Sequence, residues 1–223
     1  MKSAVIFDMD GTLIDTEYVW DVVRRGLAKD HGIPWPEAAT RAMMGMSTPE
    51  WSGYLVNVVG FPGPPSAAAN EVIKGMLVHY RQGVEVLPGA VASVQRMADR
   101  GPIGLASSSP RRLIDAALDV MGITDLFSAI RSTEEGNGVG KPDPDAFFWV
   151  ADALGVSPGR CVVIEDSTNG IQAGLNAGMP VIAIPPHFEP PAPALLAQCA
   201  AVIDTLDDLD GSLIDKVLQR QAE

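Results

Sequence analysis

The sequence predicts an α/β fold with a parallel, doubly wound sheet and an inserted helical unit. Short apolar runs alternate with amphipathic helical segments along the 223 residues, as expected when parallel strands are joined by helices. One long stretch after the first run interrupts that alternation. Hydrophobic residues make up 47% and charged residues 20%, which indicates a globular chain.

Four short apolar runs are the predicted strands. They cover residues 4–7, 103–106, 161–164 and 181–184. Two helical faces are clear in the second half of the chain. The first comprises Leu113, Ile114, Ala117, Leu118 and Met121, and the second Phe147, Val150, Ala151 and Leu154. Helical segments are followed by glycines that suit left-handed caps, at Gly101, Gly122, Gly155 and Gly178.

The stretch from about residue 15 to 86 contains no convincing strand and is too long for an ordinary connection. Its clearest helical face comprises Val72, Ile73, Met76, Leu77 and Tyr80. It leaves the carboxyl end of the first strand, where open α/β sheets bind ligands. We therefore expect a core of residues 1–14 and 86–223 and a helical cap of residues 15–85 over the crevice.

The chain is acidic, with 28 acidic and 16 basic residues and a net charge of −12. This balance argues against nucleic-acid or anionic-membrane partners. No apolar run approaches the ~20 residues of a membrane span, and the first run meets Asp8 directly, unlike a signal peptide. Cys161 and Cys199 make no disulfide framework. We expect a cytoplasmic monomer, with a dimer as the alternative.

The most informative stretch is the string from Asp8 to Thr16, directly after the first strand. Side chains two residues apart on an extended chain point the same way, so Asp8 and Asp10 can address one centre. Crowded carboxylates need a proton or a cation between them, and magnesium (Mg2+) suits oxygen ligands. An EF-hand is excluded by Leu13 and Val19; carboxylates that only cap the next helix stay an alternative.

Serines follow the second predicted strand at residues 107–109. Their hydroxyl and backbone N–H groups could hold an anion at a helix start, and an ordinary helix cap is the alternative. Lys141 lies in a Gly-Lys-Pro-Asp-Pro turn, where it could bind an anion or be a solvated surface charge. Glu135 and Pro142 exclude a P-loop around this lysine.

Glu165 and Asp166 end the third predicted strand and are either loop carboxylates or metal ligands. All four stretches fall at or just beyond the carboxyl ends of predicted strands, which a doubly wound sheet gathers into one crevice. Carboxylates for a cation, together with hydroxyl and ammonium donors for an anion, fit a phosphoryl group with Mg2+.

These four motifs, in this order, resemble those of the haloacid-dehalogenase-like superfamily. The resemblance covers nearly the whole chain and is to the branch with a helical cap, which includes beta-phosphoglucomutases and sugar-phosphate phosphatases. It implies a Rossmann-like core. It further implies that Asp8 is the nucleophile that forms an aspartyl-phosphate and that Asp10 is the general acid and base.

The same resemblance implies roles for the remaining motif residues. Ser107 and Lys141 correspond to the phosphate-holding pair, with Ser108 beside them. Asp8, Asp166 and the backbone carbonyl of Asp10 correspond to the Mg2+ ligands, with Glu165 adjacent. We therefore expect a phosphatase with Mg2+ as its cofactor and a small phosphorylated metabolite as its partner.

Two positions distinguish a phosphatase from a phosphosugar mutase. The mutases of this branch have a histidine where this chain has Trp20, and an arginine after a Gly-x-Ser where it has Thr48, which follows Gly45-Met46-Ser47. Trp20, Met46 and Thr48 are our candidates for substrate contacts in the cap. We expect hydrolysis of a small sugar or polyol phosphate, with a beta-phosphoglucomutase-like mutase or a non-catalytic phosphate-ester-binding protein as alternatives.

Overall fold

A computed structural model describes residues 2–44, 46–136, 139–187 and 190–221. Its strands are β1 Ala4–Phe7, β2 Ile14–Asp15, β3 Glu85–Val86, β4 Ile103–Ser107, β5 Ala129–Ser132, β6 Cys161–Glu165, β7 Val181–Ala183 and β8 Ala201–Val202. Its α-helices are α1 Glu17–Asp30, α2 Ala39–Met43, α3 Thr48–Tyr54, α4 Pro65–Gln82, α5 Ala90–Arg100, α6 Arg111–Met121, α7 Asp145–Leu154, α8 Thr168–Asn176, α9 Pro193–Leu196 and α10 Gly211–Arg220. A π-helical turn at Leu55–Val59 continues α3.

In this described part of the chain, six strands form a parallel sheet in the order β5-β4-β1-β6-β7-β8. The first strand is central: Phe7 is in register with Leu105 of β4 on one side and with Ile164 of β6 on the other. The chain builds one half of the sheet outward from β1, then returns to build the other. The predicted doubly wound α/β fold is therefore confirmed.

Both faces of the sheet are buried around its central strands, which explains why β1 and β7 are continuously apolar and β6 is apolar up to its last residue. Val5 and Phe7 of β1 face one hydrophobic cluster, together with α5, α6 and α10. Ala4 and Ile6 face a second cluster with α7 and α8. Within the described ranges, no helix combines the length and the apolar composition needed to cross a membrane.

The four predicted strands are present, and two of them reach one residue further than their apolar runs. β4 includes Ser107 and β6 includes Glu165, so polar residues occupy the last buried positions of both strands. Left-handed backbone is confirmed at Gly122, Gly155 and Gly178. The same prediction for Gly101 is wrong, because its φ of 175° is extended backbone.

Helices α1 to α4 occupy the inserted stretch, as expected. The expectation that no strand occurs from residue 15 to 86 is wrong at both ends, where β2 and β3 form an antiparallel pair. Ile14 is in register with Val86, and Asp15 with Glu85. The pair brings the two connections of the insert side by side, close to the carboxyl end of β1. A hydrogen bond of 2.9 Å from Arg112 of α6 to Asn70 of α4 joins the core to the insert.

Candidate active site

The sheet order brings the polar ends of three strands to one edge. Asp8 follows β1, Ser107 ends β4 and Glu165 ends β6, and β1 lies between the other two. Because the strands are parallel, their carboxyl ends meet at this edge, with the loop that carries Lys141 beside them. The structure therefore brings together residues that are more than a hundred positions apart in the sequence.

Lys141 is the cation at the centre of this edge. Its Nζ donates hydrogen bonds to Asp8 Oδ1 at 2.5 Å, to Glu165 Oε1 at 2.6 Å and to the carbonyl oxygen of Ala106 at 2.9 Å. Burial alone would lower the pKa of this lysine, but the charges of Asp8 and Glu165 raise it above its ordinary value. The ammonium group is therefore charged at neutral pH and fixed by three acceptors.

Glu165 is enclosed by donors, and its side chain is fully buried. While Oε1 accepts from Lys141, Oε2 accepts from the backbone N–H groups of Asp166 and Ser167 and from the Ser167 hydroxyl, each at 3.0 Å. Gly170 of α8 lies directly against this carboxylate, since a Cβ there would be 1.7 Å from Oε1. Both oxygens of Glu165 thus have protein partners.

Asp166 is positioned by the turn that follows β1. The Thr12 hydroxyl donates to Asp166 Oδ1 at 3.1 Å. Gly11 has a φ of 84°, as the predicted sharp turn requires, and a Cβ there would be 2.2 Å from Asp166 Oδ2. The missing side chain at position 11 is what lets the Asp166 carboxylate lie beside the backbone of this turn.

Three buried carboxylates form a cluster that could hold a metal ion. One oxygen from each of Asp8, Glu165 and Asp166 lies within 4.8 Å of the others. Burial raises the pKa of Asp8 to about 8; Lys141 opposes this shift and Glu165 adds to it. Burial, Glu165 and Asp8 also raise the pKa of Asp166 well above its ordinary value. The single positive charge of Lys141 does not balance three carboxylates, so this set of oxygen donors suits a hard divalent cation.

Asp10 belongs to a separate network of hydroxyl groups. Its Oδ1 accepts from Thr16 at 2.7 Å, and its Oδ2 accepts from Ser109 at 2.7 Å and from Ser107 at 3.4 Å. The family resemblance implies a metal-binding role for the backbone carbonyl of Asp10, whereas its side chain points to Ser107 and Ser109. Hydroxyl donors on both oxygens fix the orientation of this carboxyl group.

Ser109 lies in the serine run that the sequence singled out, but the sequence argument assigned it no role of its own. Ser132 of β5 supports it by donating to the Ser109 carbonyl oxygen at 2.7 Å, and the Ser109 N–H donates to Ser107 Oγ at 3.0 Å. Ser108, the predicted companion of Ser107, is half-buried between them. The rule that aligned Asp8 with Asp10 also puts residues 107 and 109 on one side, and it could have identified Ser109.

The predicted cap residues lie in α1 and at the start of α3. Trp20 is 8% exposed, and its ring centroid is 5.7 Å from that of Trp51. Met46 and Thr48 are half-buried, and Gly45 lies outside the described residues. Ser47, between Met46 and Thr48, starts α3 with a capping box and faces the loop of Lys141, where a Cβ on Gly140 would be 2.9 Å from Ser47 Cβ.

The fold and the site together define an α/β protein with a helical insert above an acidic, lysine-bridged edge of the sheet. The chain belongs to the haloacid dehalogenase-like hydrolase family, whose model matches residues 2–178. The family resemblance found in the sequence is thereby confirmed.

Two curated relatives and one solved structure are similar to the chain. The bifunctional riboflavin kinase/FMN phosphatase of Arabidopsis thaliana is 32% identical over 94% of the chain, which spans 55% of that protein's length. The fructose-1-phosphate phosphatase YqaB of Escherichia coli is 31% identical, over 81% of the chain and 95% of that protein. A beta-phosphoglucomutase structure from Clostridium difficile, 25% identical, superimposes over 100% of this chain and 99% of its own, with a TM-score of 0.83.

Proposed function

We propose that the protein is a Mg2+-dependent phosphatase that hydrolyses a small sugar or polyol phosphate through an aspartyl-phosphate at Asp8. One observation carries the proposal: Lys141 Nζ joins Asp8 Oδ1 to Glu165 Oε1, directly beside the carboxylate of Asp166. A carboxylate nucleophile, a fixed cation and a metal-sized group of oxygen donors are thus side by side. The phosphatase names of the two curated relatives support the same class of reaction.

The proposed reaction has two steps. In the first, an Asp8 oxygen attacks phosphorus, and the leaving alkoxide takes a proton from Asp10. In the second, a water molecule attacks phosphorus of the aspartyl-phosphate and gives a proton to Asp10. The bond between phosphorus and Asp8 breaks, so phosphate is released and Asp8 is regenerated. Hydrogen bonds from Thr16 and Ser109 keep the Asp10 carboxyl group oriented in both steps. The positive charge of Lys141, whose three N–H donors already have acceptors, would attract the phosphate oxygens, and the serines at positions 107 and 108 would donate hydrogen bonds to them.

Mg2+ would be held by Asp8, Asp166 and the backbone carbonyl of Asp10, and it would neutralise charge between the nucleophile and the incoming phosphate. Glu165, which the sequence grouped with these ligands, has a different role in this proposal. Because both of its oxygens accept hydrogen bonds from the protein, we assign it to the positioning of Lys141.

The residues at positions 20 and 48 favour hydrolysis over the mutase reaction. Trp20 packs against Trp51, and Thr48 has no cationic group with which to grip a second phosphate. We therefore expect free phosphate, and no glucose 6-phosphate, when beta-glucose 1-phosphate is supplied. We further propose that residues 15–85 act as the cap, and that the protein is a cytoplasmic monomer, which gel filtration can distinguish from a dimer.

Phosphate release tests the proposed function. Wild-type protein is assayed with an aryl phosphate and a panel of sugar phosphates, with MgCl2 and with EDTA. We expect turnover that EDTA abolishes and Mg2+ restores. Asp8→Asn should abolish turnover while its circular dichroism spectrum stays that of the wild type; Asp152→Asn, an exposed change on α7, is the matched control. Turnover retained by Asp8→Asn, or unaffected by EDTA, would contradict the proposal.

A further inference from the structure

Ser132 is a fully buried serine at the end of β5, the edge strand that pairs with β4. Its hydroxyl group donates to the Ser109 carbonyl oxygen at 2.7 Å and accepts from the backbone N–H of Glu134 at 3.2 Å. Its own backbone N–H donates to Glu135 Oε2 at 3.1 Å. A serine hydroxyl has a single proton to donate, and here Ser109 receives it. The protein therefore fixes the orientation of this side chain.

The hydrogen bond to Ser109 continues the contact between β4 and β5 beyond the last residue of β4. At the end of the sheet, the Ser107 carbonyl oxygen accepts from the backbone N–H of Thr133 at 2.9 Å. The chain then turns, and the Glu135 N–H donates back to the Ser132 carbonyl oxygen at 3.1 Å. A buried carbonyl oxygen needs a donor, and at Ser109 the side chain of Ser132 supplies it in place of the backbone.

Ser109 is held by both of its backbone groups. Its N–H donates to Ser107 Oγ at 3.0 Å, and its carbonyl oxygen accepts from Ser132. Its hydroxyl donates to Asp10 Oδ2 at 2.7 Å, which is shorter than the 3.4 Å contact from Ser107 to the same oxygen. The next residue is Pro110, which favours extended backbone at position 109. The position of the Ser109 hydroxyl relative to Asp10 is thereby fixed.

We propose that Ser132 is a positioning residue that orients Asp10 through Ser109. This inference rests on the proposed function, in which Asp10 gives a proton to the leaving group. Such a transfer requires the acid to lie within hydrogen-bond distance of the leaving oxygen and to point toward it. Loss of the Ser132 hydroxyl releases the Ser109 carbonyl, so the Ser109 hydroxyl shifts and Asp10 Oδ2 loses its closest donor. The rate should then fall most for leaving groups that need the proton most.

The test measures how the rate depends on the acidity of the leaving phenol. kcat/KM, which covers the steps up to phosphoryl transfer, is measured with Mg2+ for p-nitrophenyl, phenyl and p-methoxyphenyl phosphate. The p-nitrophenolate anion leaves readily without a proton, whereas the other two phenolates gain from one. The variants are Ser132→Ala and, in case it does not fold, Ser132→Cys, which keeps the volume but is a weak donor.

Ser93→Ala is the matched control. Ser93 is also fully buried, and its hydroxyl donates to a backbone carbonyl oxygen, that of Ala90 in α5, at 2.8 Å. Melting temperatures accompany every variant. We expect Ser132→Ala to lower kcat/KM about 5- to 20-fold for phenyl phosphate, as part of the roughly 100- to 10,000-fold that general acid catalysis contributes. For p-nitrophenyl phosphate the loss should stay below about twofold, and Ser93→Ala should leave the ratio of the two rates unchanged.

A double-mutant cycle tests the route through Ser109. Ser109→Ala should change the ratio in the same direction, and Ser132→Ala should change it no further in the Ser109→Ala background. A full further loss in that background overturns the inference. Equal losses on all three phosphates would make Ser132 merely structural and overturn it too, as would an unchanged ratio. Wild-type protein inert on every phosphate with Mg2+ overturns the phosphatase function itself.

Discussion

Removal of the ammonium group of Lys141 should destabilise the fold more than any surface substitution. Lys141→Met leaves Asp8 and Glu165, which accept from Nζ at 2.5 and 2.6 Å, as buried carboxylates without their cation. Breaking a buried ion pair from one side costs about 3–5 kcal/mol. A domain has only about 5–15 kcal/mol of stability in total, so the variant should be marginally stable at neutral pH.

The loss of stability in Lys141→Met should depend on pH. In the wild-type protein the pKa of Asp8 is about 8, against 3.8 as the ordinary value, and Lys141 restrains this rise. Without Lys141 the folded-state pKa rises further above that of the unfolded chain. The folded variant then binds a proton that the unfolded chain has lost, so its stability increases as pH falls from about 8 toward 5. Wild-type Asp8 binds the same proton below about pH 8, so the difference from the wild type should shrink as the pH falls toward 8 and stay nearly constant below it.

Urea unfolding at about pH 9.5 and about pH 7, in EDTA, measures both effects. With a slope of about 2–3 kcal/mol per molar urea, the expected loss at about pH 9.5 lowers the midpoint by about 1–2 M. Lys74→Met is the matched control, since Lys74 is exposed on α4 and its removal makes the same change in net charge. A Lys141→Met midpoint equal to that of Lys74→Met at about pH 9.5 would refute the reasoning, and so would an equal loss of stability at about pH 9.5 and about pH 7.

Two further predictions concern the groups around the lysine. Ser109→Ala removes the 2.7 Å hydrogen bond to Asp10 and should lower kcat about tenfold with little change in KM, in steady-state assays; an unchanged kcat would show that this bond does not orient Asp10. Gly170→Ala puts a Cβ within 1.7 Å of Glu165 Oε1 and should reduce both activity and melting temperature. Gly26→Ala, where a Cβ meets nothing within 4 Å, is the helical control and should stabilise by about 0.5–1 kcal/mol; equal effects at the two glycines would contradict the packing argument.

The sequence was sufficient for the fold class because a parallel sheet with two buried faces needs runs of apolar residues. β1, with Val5 and Phe7 facing one cluster and Ala4 and Ile6 the other, is the clearest example. β5 was missed because it ends in an arginine and a serine, so it lacks such a run. β2 and β3 are two residues long each, too short for any periodicity to reveal them.

The sequence also determined which polar residues meet, since the carboxyl ends of parallel strands share one edge of the sheet. That argument placed Asp8, Lys141 and Asp166 together, and the structure brings them together; their catalytic and metal-binding roles remain proposals. It did not determine which atoms pair. The hydrogen bonds to both oxygens of Glu165 depend on how closely α8 packs against this carboxylate at Gly170, and the sequence pattern does not specify that packing.

Only the tertiary structure decided how the insert meets the core. Helical spacing puts Arg24 on the same face of α1 as Trp20 and Ala28, but it does not say what the guanidinium group is buried against. Its burial between Trp20 and Trp51 requires α3 to pack across α1. Hydrophobic periodicity specifies that a helix face is buried, whereas the partner it is buried against is fixed by the close packing of elements distant in the chain.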